Sequence, residues 1–308
     1  MNVKECNLVV AMGGPGSEKE VSMATGQAVA GALREAGCKV EELVVETHDV
    51  TLPEHVDLVV NTIHGTFGED GQFQSLLEEA GIAYTGAGSA ASKLAFDKVA
   101  SKERFIAAGV PTPKSEILDS SQEVRKPSFD LPYVVKPPCE GSSVGVHIVQ
   151  SEEDVEPALK DAATFGEQIL VEQFVEGKEL TVGVLGDEVL PVVHIAPRSG
   201  FYDMANKYPW MTGDGGTDYY CPADLDETTT AKVQKAALEA HRSLGIEVYS
   251  RVDVLLGTDG EPYVLEVNTI PGMTASSLLP KAAEQAGYSF PELCLKIAEL
   301  SAQVDRNG

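Results

Sequence analysis

Four side chains late in the chain make the strongest case for chemistry. Tyr249-Ser-Arg251-Val-Asp253-Val-Leu-Leu and Tyr263-Val-Leu-Glu266-Val-Asn268 read as two strands around a turn at Gly257-Thr-Asp259-Gly260. Side chains two apart on a strand share a face, so Arg251 falls beside Asp253 and Glu266 beside Asn268. If about four residues join the strands, Asp253 lies opposite Glu266. Two carboxylates so placed repel by about 4 kcal/mol at ~4 Å and an effective dielectric of ~20. A hard cation relieves that repulsion. Oxygens from Asp, Glu and Asn suit Mg²⁺, with waters and phosphate oxygens completing the octahedron. The plainer alternative is a salt bridge between Arg251 and one acid, and a one-residue slip of register would separate the acids.

Four further segments carry polar groups at turns. Lys136-Pro-Pro-Cys-Glu-Gly141-Ser142-Ser143 sets a lysine at the end of an apolar strand, then a turn whose N–H groups and hydroxyls can meet phosphate oxygens. It also reads as a plain hairpin turn. His64 follows the apolar strand Asp57–Asn61, where loops at the carboxyl ends of parallel strands form a binding crevice. A single histidine is as readily structural. Gly13-Gly14-Pro15-Gly16-Ser17-Glu18 is a poor dinucleotide fingerprint, because Lys19 falls where the third glycine belongs and Glu18 and Glu20 would repel a pyrophosphate. A carboxylate there attracts an ammonium instead, or simply answers the helix dipole. Pro271-Gly272-Met-Thr-Ala-Ser276-Ser277-Leu278 offers N–H groups at a helix start to a carboxylate or an oxyanion, and taken alone reads first as an ordinary helix start.

These residues need a frame. Apolar runs at Asn7–Met12, Lys39–Glu46 and Asp57–Asn61 alternate with a helix from about Glu18, whose apolar stripe is Val21, Ala24, Ala28 and Ala32 and whose start is a Ser17/Glu20 capping box. This order predicts a parallel α/β sheet. Ser89 to Ala108 reads as one long helix ending at Gly109 and Pro111. After a Pro- and Ser-rich connection come strands at Tyr133–Lys136, Val144–Val149, Ile169–Glu172 and Leu180–Leu185, with a capped helix from Ser151, predicting an α+β unit. Pro197 to Pro222 shows no period and carries aromatics, which predicts an ordered lid loop without regular structure. A helix over Thr228–Leu244, the hairpin and two terminal helices complete the chain.

Composition narrows the partners. The 308 residues carry 48 acidic and 23 basic side chains, a net charge of −25. Such a surface disfavours nucleic acid and anionic membranes, so an anionic ligand depends on a few local cations. The five cysteines, Cys6, Cys38, Cys139, Cys221 and Cys294, form no CxxC pair and indicate neither a disulfide framework nor a zinc site. No stretch is long enough to span a bilayer and the first apolar run is too short for a signal peptide, which predicts a cytoplasmic protein. No Walker motif occurs.

Taken together, the blocks GGPGSEKEVS, IHGTFGEDG, YTGAGSAASKLAFDK, VVKPPCEGSSVGV, FYDMANKY, RVDV and EVNTIPGMTASSLLP closely resemble D-alanine–D-alanine ligases of the ATP-grasp superfamily, from about Val9 to Leu300. The resemblance implies an α/β N-terminal domain and two ATP-grasp α+β domains, at 1–92, 93–190 and 191–308, with a lid over 197–222. It implies ATP-dependent joining of two D-alanines through an acyl phosphate, for peptidoglycan precursor synthesis. Glu18, Ser142 and Tyr208 would form a set linking the lid to the first substrate, whose ammonium Glu18 holds. Arg251 and the Gly272 N–H would stabilise the oxyanion. Ser277 and the Leu278 N–H would hold the second carboxylate, with His64 lining the substrate site. Lys98, Lys136 and Lys207 would contact phosphates; Glu172 and Val175 adenine; Glu179 the ribose; Phe201 and Leu265 would pack nearby. Asp253, Glu266 and Asn268 match ligands of two Mg²⁺ ions, for which Mn²⁺ can substitute. The family also implies a homodimer. Met204 and Gln173 depart from its common Tyr and Lys, while Tyr208 favours an amine as second nucleophile. The competing readings are a D-alanine–D-lactate ligase, a non-catalytic nucleotide-binding protein and, from the first glycine turn alone, a dinucleotide oxidoreductase.

Overall fold

The computed structural model of the chain describes residues 2–121, 125–200, 202, 206 and 216–306. Among these, three sheets organise the molecule. The first runs β2-β1-β3-β4, entirely parallel, from β1 (Asn7–Gly13), β2 (Lys39–Val45), β3 (Leu58–Asn61) and β4 (Ala83–Tyr84). Leu8 to Met12 are all buried, as a run of apolar residues covered on both faces requires. This is the expected α/β arrangement.

The helix α1 (Lys19–Glu35) starts one residue later than the capping-box reading places it. Glu18 is the N-cap, and its side chain makes no capping bond. Its buried face is also rotated from the predicted stripe: Ser22, Thr25, Val29 and Leu33 are buried whereas Ala24 is exposed. The cause is polar. The Ser22 hydroxyl accepts from the His64 N–H at 2.8 Å and Thr25 Oγ1 lies 2.9 Å from His64 Nε2, so hydroxyls that look solvent-facing in sequence turn inward.

The predicted helix from Ser89 to Ala108 is two helices, α3 (Ser89–Phe96) and α4 (Lys98–Ala108). α2 (Gln72–Glu79) precedes them. Asp97 breaks the run with an extended backbone, φ −83° and ψ 104°, and its carboxylate accepts from the N–H groups of Val99 and Ala100. An aspartate that caps its own downstream neighbours competes with helix continuation. The break makes Lys98 the first residue of α4.

The second sheet is antiparallel, β5-β8-β6-β7, from β5 (Ser115–Asp119), β6 (Tyr133–Lys136), β7 (His147–Val149) and β8 (Gln168–Gln173). Its helix α5 (Glu152–Ala162) has the expected cap, a Ser151/Asp154 capping box. β7 is shorter than the predicted Val144–Val149, because Ser142, Ser143 and Gly145 all take positive φ and keep the chain in turns up to that point.

The third sheet runs β12-β11-β9-β13-β14, with β10 on β9. Its strands are β9 (Gly177–Leu185), β10 (Glu188–Val189), β11 (Val193–Pro197), β12 (Thr217–Tyr220), β13 (Tyr249–Gly257) and β14 (Pro262–Asn268). Two expectations change here. Leu180–Leu185 lies in β9 at the middle of this sheet, hydrogen-bonded to β13 and β11, and not with the central strands. Thr217–Tyr220, predicted as part of an unstructured loop, is a strand paired with β11. Both follow from pairings distant in sequence, which periodicity does not encode.

Behind the third sheet, α6 (Glu227–Ser243), α3 and α4 bury a core of Val182, Val252, Val254, Ala236 and Phe105. The last helices, α7 (Leu278–Gln285) and α8 (Phe290–Ser301), share a different core with the first sheet and α1, through Leu33, Val10, Leu279 and Ile297. The Gly272–Leu278 segment and the start of α1 are thus fastened to one apolar body.

Candidate active site

A cavity of about 920 Å³ opens between the second and third sheets. Lys98, Lys136, Glu172, Val175, Glu179, Asp253, Leu265 and Glu266, all singled out in the sequence, line it.

The hairpin delivers its acids by an unexpected route. Leu256, Leu255 and Val254 pair with Pro262, Tyr263 and Val264, and that register would bring Leu265 opposite Asp253. A β-bulge intervenes, and Asp253 pairs with Glu266, Arg251 with Asn268. The extra residue points two successive side chains to one side. Leu265 and Glu266 accordingly both line the cavity, an apolar surface next to a carboxylate.

Asp253 is held on every side. Arg251 Nε and Nη2 donate to its two oxygens at 3.0 and 2.8 Å, Asn268 Nδ2 donates at 3.1 Å and Thr181 Oγ1 at 2.6 Å. Burial works against the Arg251 charge, but Asp253 and the hydrogen bonds to it keep that guanidinium protonated more firmly than an ordinary arginine. The plainer reading of the sequence, an Arg251–acid salt bridge, is therefore what forms, and it coexists with the facing acids. Glu266 meets its own cation, Lys98 Nζ at 3.1 Å, and Lys98 also donates to the Glu140 carbonyl at 2.7 Å. Burial opposes the Lys98 charge, yet Glu266 raises its pKa above the usual lysine value.

Glu172, expected against adenine, is 2% exposed and carries two ammoniums: Lys102 at 2.7 Å and Lys136 at 2.6 Å. Burial favours its neutral form, but the two lysines prevail and hold it below the ordinary carboxylate range. Lys102 escaped the sequence reading. Its signal was the i, i+4 spacing from Lys98, which puts both on one face of α4.

The start of α1 meets the Gly/Ser turn. The Ser142 hydroxyl donates to Glu18 Oε1 in a short bond, across 124 residues of sequence. The carboxylate lies between two glycines. A Cβ on Gly65 would overlap Glu18 Oε2, and one on Gly141 would stand 3.0 Å from it. Ser142 and Ser143 sit at φ 51° and 60°, a conformation side chains seldom adopt and one that concentrates at functional sites. The Ser143 hydroxyl donates to the Tyr202 carbonyl at 3.1 Å, a tie between this turn and the lid segment that the sequence reading missed. His64 is buried, with Nε2 2.9 Å from Thr25 Oγ1 and Nδ1 3.3 Å from Glu69 Oε1. At the other end, Ser277 stands at the N-cap position of α7 without a side-chain capping bond, and its Oγ accepts from the Thr274 N–H at 3.0 Å; a Cβ on Gly272 would stand 2.9 Å from that oxygen, so Gly272 and Ser277 are brought together. Leu278 is buried as the first residue of α7. Phe201, Met204, Lys207 and Tyr208 lie outside the described residues.

Two facing carboxylates and an amide, each already drawing a positive or hydrogen-bonding partner, form a donor set that a hard divalent cation fits. Among the described residues no group of three or more His, Cys, Asp or Glu comes together to hold a metal, so the hairpin offers two acids and an amide and no third acid.

Residues 38–87 match the family described as D-ala D-ala ligase N-terminus, and residues 105–299 match the D-ala D-ala ligase C-terminus. The chain belongs to the D-alanine–D-alanine ligase family. It is 43% identical over 295 residues to the D-alanine--D-alanine ligase of Methylacidiphilum infernorum, covering 96% of this chain and 95% of that one. It is 42% identical to the Bordetella avium ligase, covering 97% of each. Among solved structures, the Bacillus anthracis D-alanine--D-alanine ligase complexed with ATP aligns with a TM-score of 0.82 at 30% identity, over 96% of this chain and 97% of that one. A D-Ala:D-Ser ligase from Enterococcus faecalis aligns at 0.84 with 27% identity, over 96% and 99%. The ATP-grasp architecture of the ligase family is therefore the fold of this chain.

Proposed function

We propose that the chain joins two D-alanines at the expense of ATP, with nucleotide in the cavity between the second and third sheets and amino acid between α1, the Gly/Ser turn and the Gly272–Leu278 segment. The observation that carries this reading is convergence: Glu18 from the first sheet's helix and Ser142 from the second sheet's turn are bonded, beside a cavity whose other walls carry Lys98, Lys136 and Asp253. In family terms, one D-alanine carboxylate takes the terminal phosphoryl group of ATP, and the amine of the second D-alanine displaces phosphate from that acyl phosphate.

The residues fall into roles consistent with this chemistry. Glu18 faces an ammonium and is fixed by Ser142 for that task. Lys98 and Lys136, with Lys207 from the lid, neutralise phosphate oxygens. Glu172 and Val175 meet adenine, Glu179 the ribose, and Leu265 and Phe201 give apolar cover. Asp253, Glu266 and Asn268 would hold Mg²⁺, which supplies charge neutralisation along the phosphates. Arg251, the Gly272 N–H, Ser277 and the Leu278 N–H bind carboxylate or oxyanion, with His64 behind them and Tyr208 closing from the lid. Placement and electrostatic stabilisation supply most of the rate.

The same family membership carries the expectation of a cytoplasmic homodimer with three domains, the lid coming from the one built on the third sheet, to which β9 and β10, before residue 191, also belong. Light scattering tests the dimer. Among the described residues no helix is long and apolar enough to cross a membrane. A coupled assay of ADP and phosphate release, with D-alanine, D-lactate and D-serine in turn as second substrate, tests the reaction. Release that depends on D-alanine and Mg²⁺ and yields D-alanyl-D-alanine is expected. ATP turnover indifferent to D-alanine would sink the assignment.

A further inference from the structure

We propose that Lys102 is a positioning residue for the phosphate side of the nucleotide cavity, keeping Lys136 available to an anion through the Glu172 carboxylate that the two lysines share. The inference rests on the nucleotide reading of the cavity given above.

Lys102 is 2% exposed, one turn beyond Lys98 on α4. Its Nζ stands 2.7 Å from Glu172 Oε1, while Lys136 Nζ stands 2.6 Å from Oε2. Lys136 and Glu172 line the cavity and Lys102 does not, so Lys102 acts on a ligand only through Glu172. Its position is fixed from the far side as well. Lys102 Nζ donates to Thr112 Oγ1 at 2.7 Å, and the Thr112 hydroxyl in turn donates to the Val264 carbonyl at 2.8 Å, next to the bulge at Leu265. The ammonium thereby spans from β8 on one cavity wall to β14 on the other.

The charge count gives this geometry its consequence. Lys136 and Glu172 alone make a complete ion pair with no net charge, and Lys136 would be committed to it. Two ammoniums on one carboxylate leave one positive charge over, and the member of the triad that presents it to the cavity is Lys136. A fully buried lysine is costly to desolvate, and an apolar side chain would fill the same space without that cost. Packing alone therefore does not account for a lysine at 102, whereas a charge that completes the neutralisation of Glu172 does.

The test is displacement of a fluorescent ATP analogue by ATP and by adenosine, on the wild-type chain, K102M, E172Q and the double variant K102M/E172Q. K102M is expected to weaken ATP on the order of tenfold, the effect of one unit charge at ~10 Å and an effective dielectric of ~20. Adenosine is expected to stay within about threefold in K102M, and the ratio of ATP to adenosine affinity to return in the double variant to within about threefold of the wild type, because removing both charges restores the surplus of one on Lys136, whereas E172Q alone, with a surplus of two, should raise that ratio. ATP affinity unchanged in K102M, equal losses for ATP and adenosine, or a double variant whose ATP-to-adenosine ratio stays about tenfold or more below that of the wild type would each overturn the proposal. The last comparison also decides the matter should circular dichroism show K102M unfolded, since K102M/E172Q leaves no buried acid short of a partner. A wild-type chain that binds neither ligand would instead refute the nucleotide reading itself.

Discussion

Asp253 faces Glu266 across the β13–β14 ladder because Leu265 is bulged out of register between them and the turn. Without the bulge, the pairing set by the five residues between Leu256 and Pro262 would place Leu265 opposite Asp253 and send Glu266 to the other face. One extra residue thus turns Glu266 to the cavity face beside Leu265 and aligns the acids. Each acid is matched by a cation in the chain, Arg251 at 2.8 Å from Asp253 and Lys98 at 3.1 Å from Glu266.

Replacing Asp253 by Asn tests the acid pair. The variant keeps the shape and the Thr181 contact but loses one negative charge facing Glu266. The Mg²⁺ concentration for half-maximal rate is expected to rise on the order of tenfold or more. A titration of rate against Mg²⁺ that superimposes on the wild type would count against the hairpin as the metal site. Chelation of divalent cations is expected to abolish turnover in both proteins.

Glu18 offers a second test, because its carboxylate is placed by Ser142 and by no capping bond of its own helix. Glu18→Gln is expected to raise KM for D-alanine on the order of tenfold, the size of one charge-assisted hydrogen bond, and to leave KM for ATP nearly unchanged. Ser142→Ala should move D-alanine in the same direction by less. Initial-rate kinetics with each substrate varied would decide it, and equal losses for both substrates would contradict the ammonium role.

Gly65 is required where it stands. Its φ is +68°, and a Cβ there would overlap Glu18 Oε2. Gly65→Ala is expected to cost about 1–2 kcal/mol of stability for the left-handed backbone and to displace the Glu18 carboxylate. D-alanine binding should therefore fall further than the stability loss explains, with ATP binding retained. Thermal unfolding and calorimetry with each ligand separate the two effects; wild-type D-alanine affinity in this variant would show that the carboxylate position is unimportant.

What could be read in the sequence was local. The Gly/Ser turn and the Ser151 cap depend on residues close in sequence, and each stands where the spacing puts it; the hairpin acids face each other as expected, but through a bulge that the spacing does not show. What could not be read was set by distant partners. Thr25 and Ser22 turn inward because His64 is there to bond them. β9 leaves the central strands because β13 pairs along its whole length. Lys102 carries no sign in its own neighbourhood that Glu172 awaits it 70 residues on. The Arg251–Asp253 bond was an open alternative, and spacing could not weigh it against the metal, since both use the same face of one strand.

His241 gives the chain a predictable weakness in acid. It is buried on α6, with Nδ1 2.8 Å from Ser250 Oγ on β13. Burial, reinforced by Arg242, pushes its imidazole down to about 4 from the ordinary 6.5. As pH falls through 6.5 the unfolded chain takes up this proton, but the folded chain does so only near 4. The unfolded state therefore binds more protons across that window, and stability declines with falling pH by up to about 3 kcal/mol from this group alone. His241→Asn keeps a hydrogen-bonding group towards Ser250 and cannot titrate. It is expected to be less stable at pH 7 by about 1 kcal/mol and to lose less than the wild type between pH 7 and pH 4.5. Denaturant unfolding at the two pH values checks this. Parallel losses in both proteins would show that carboxylates elsewhere, and not this buried ring, govern acid sensitivity.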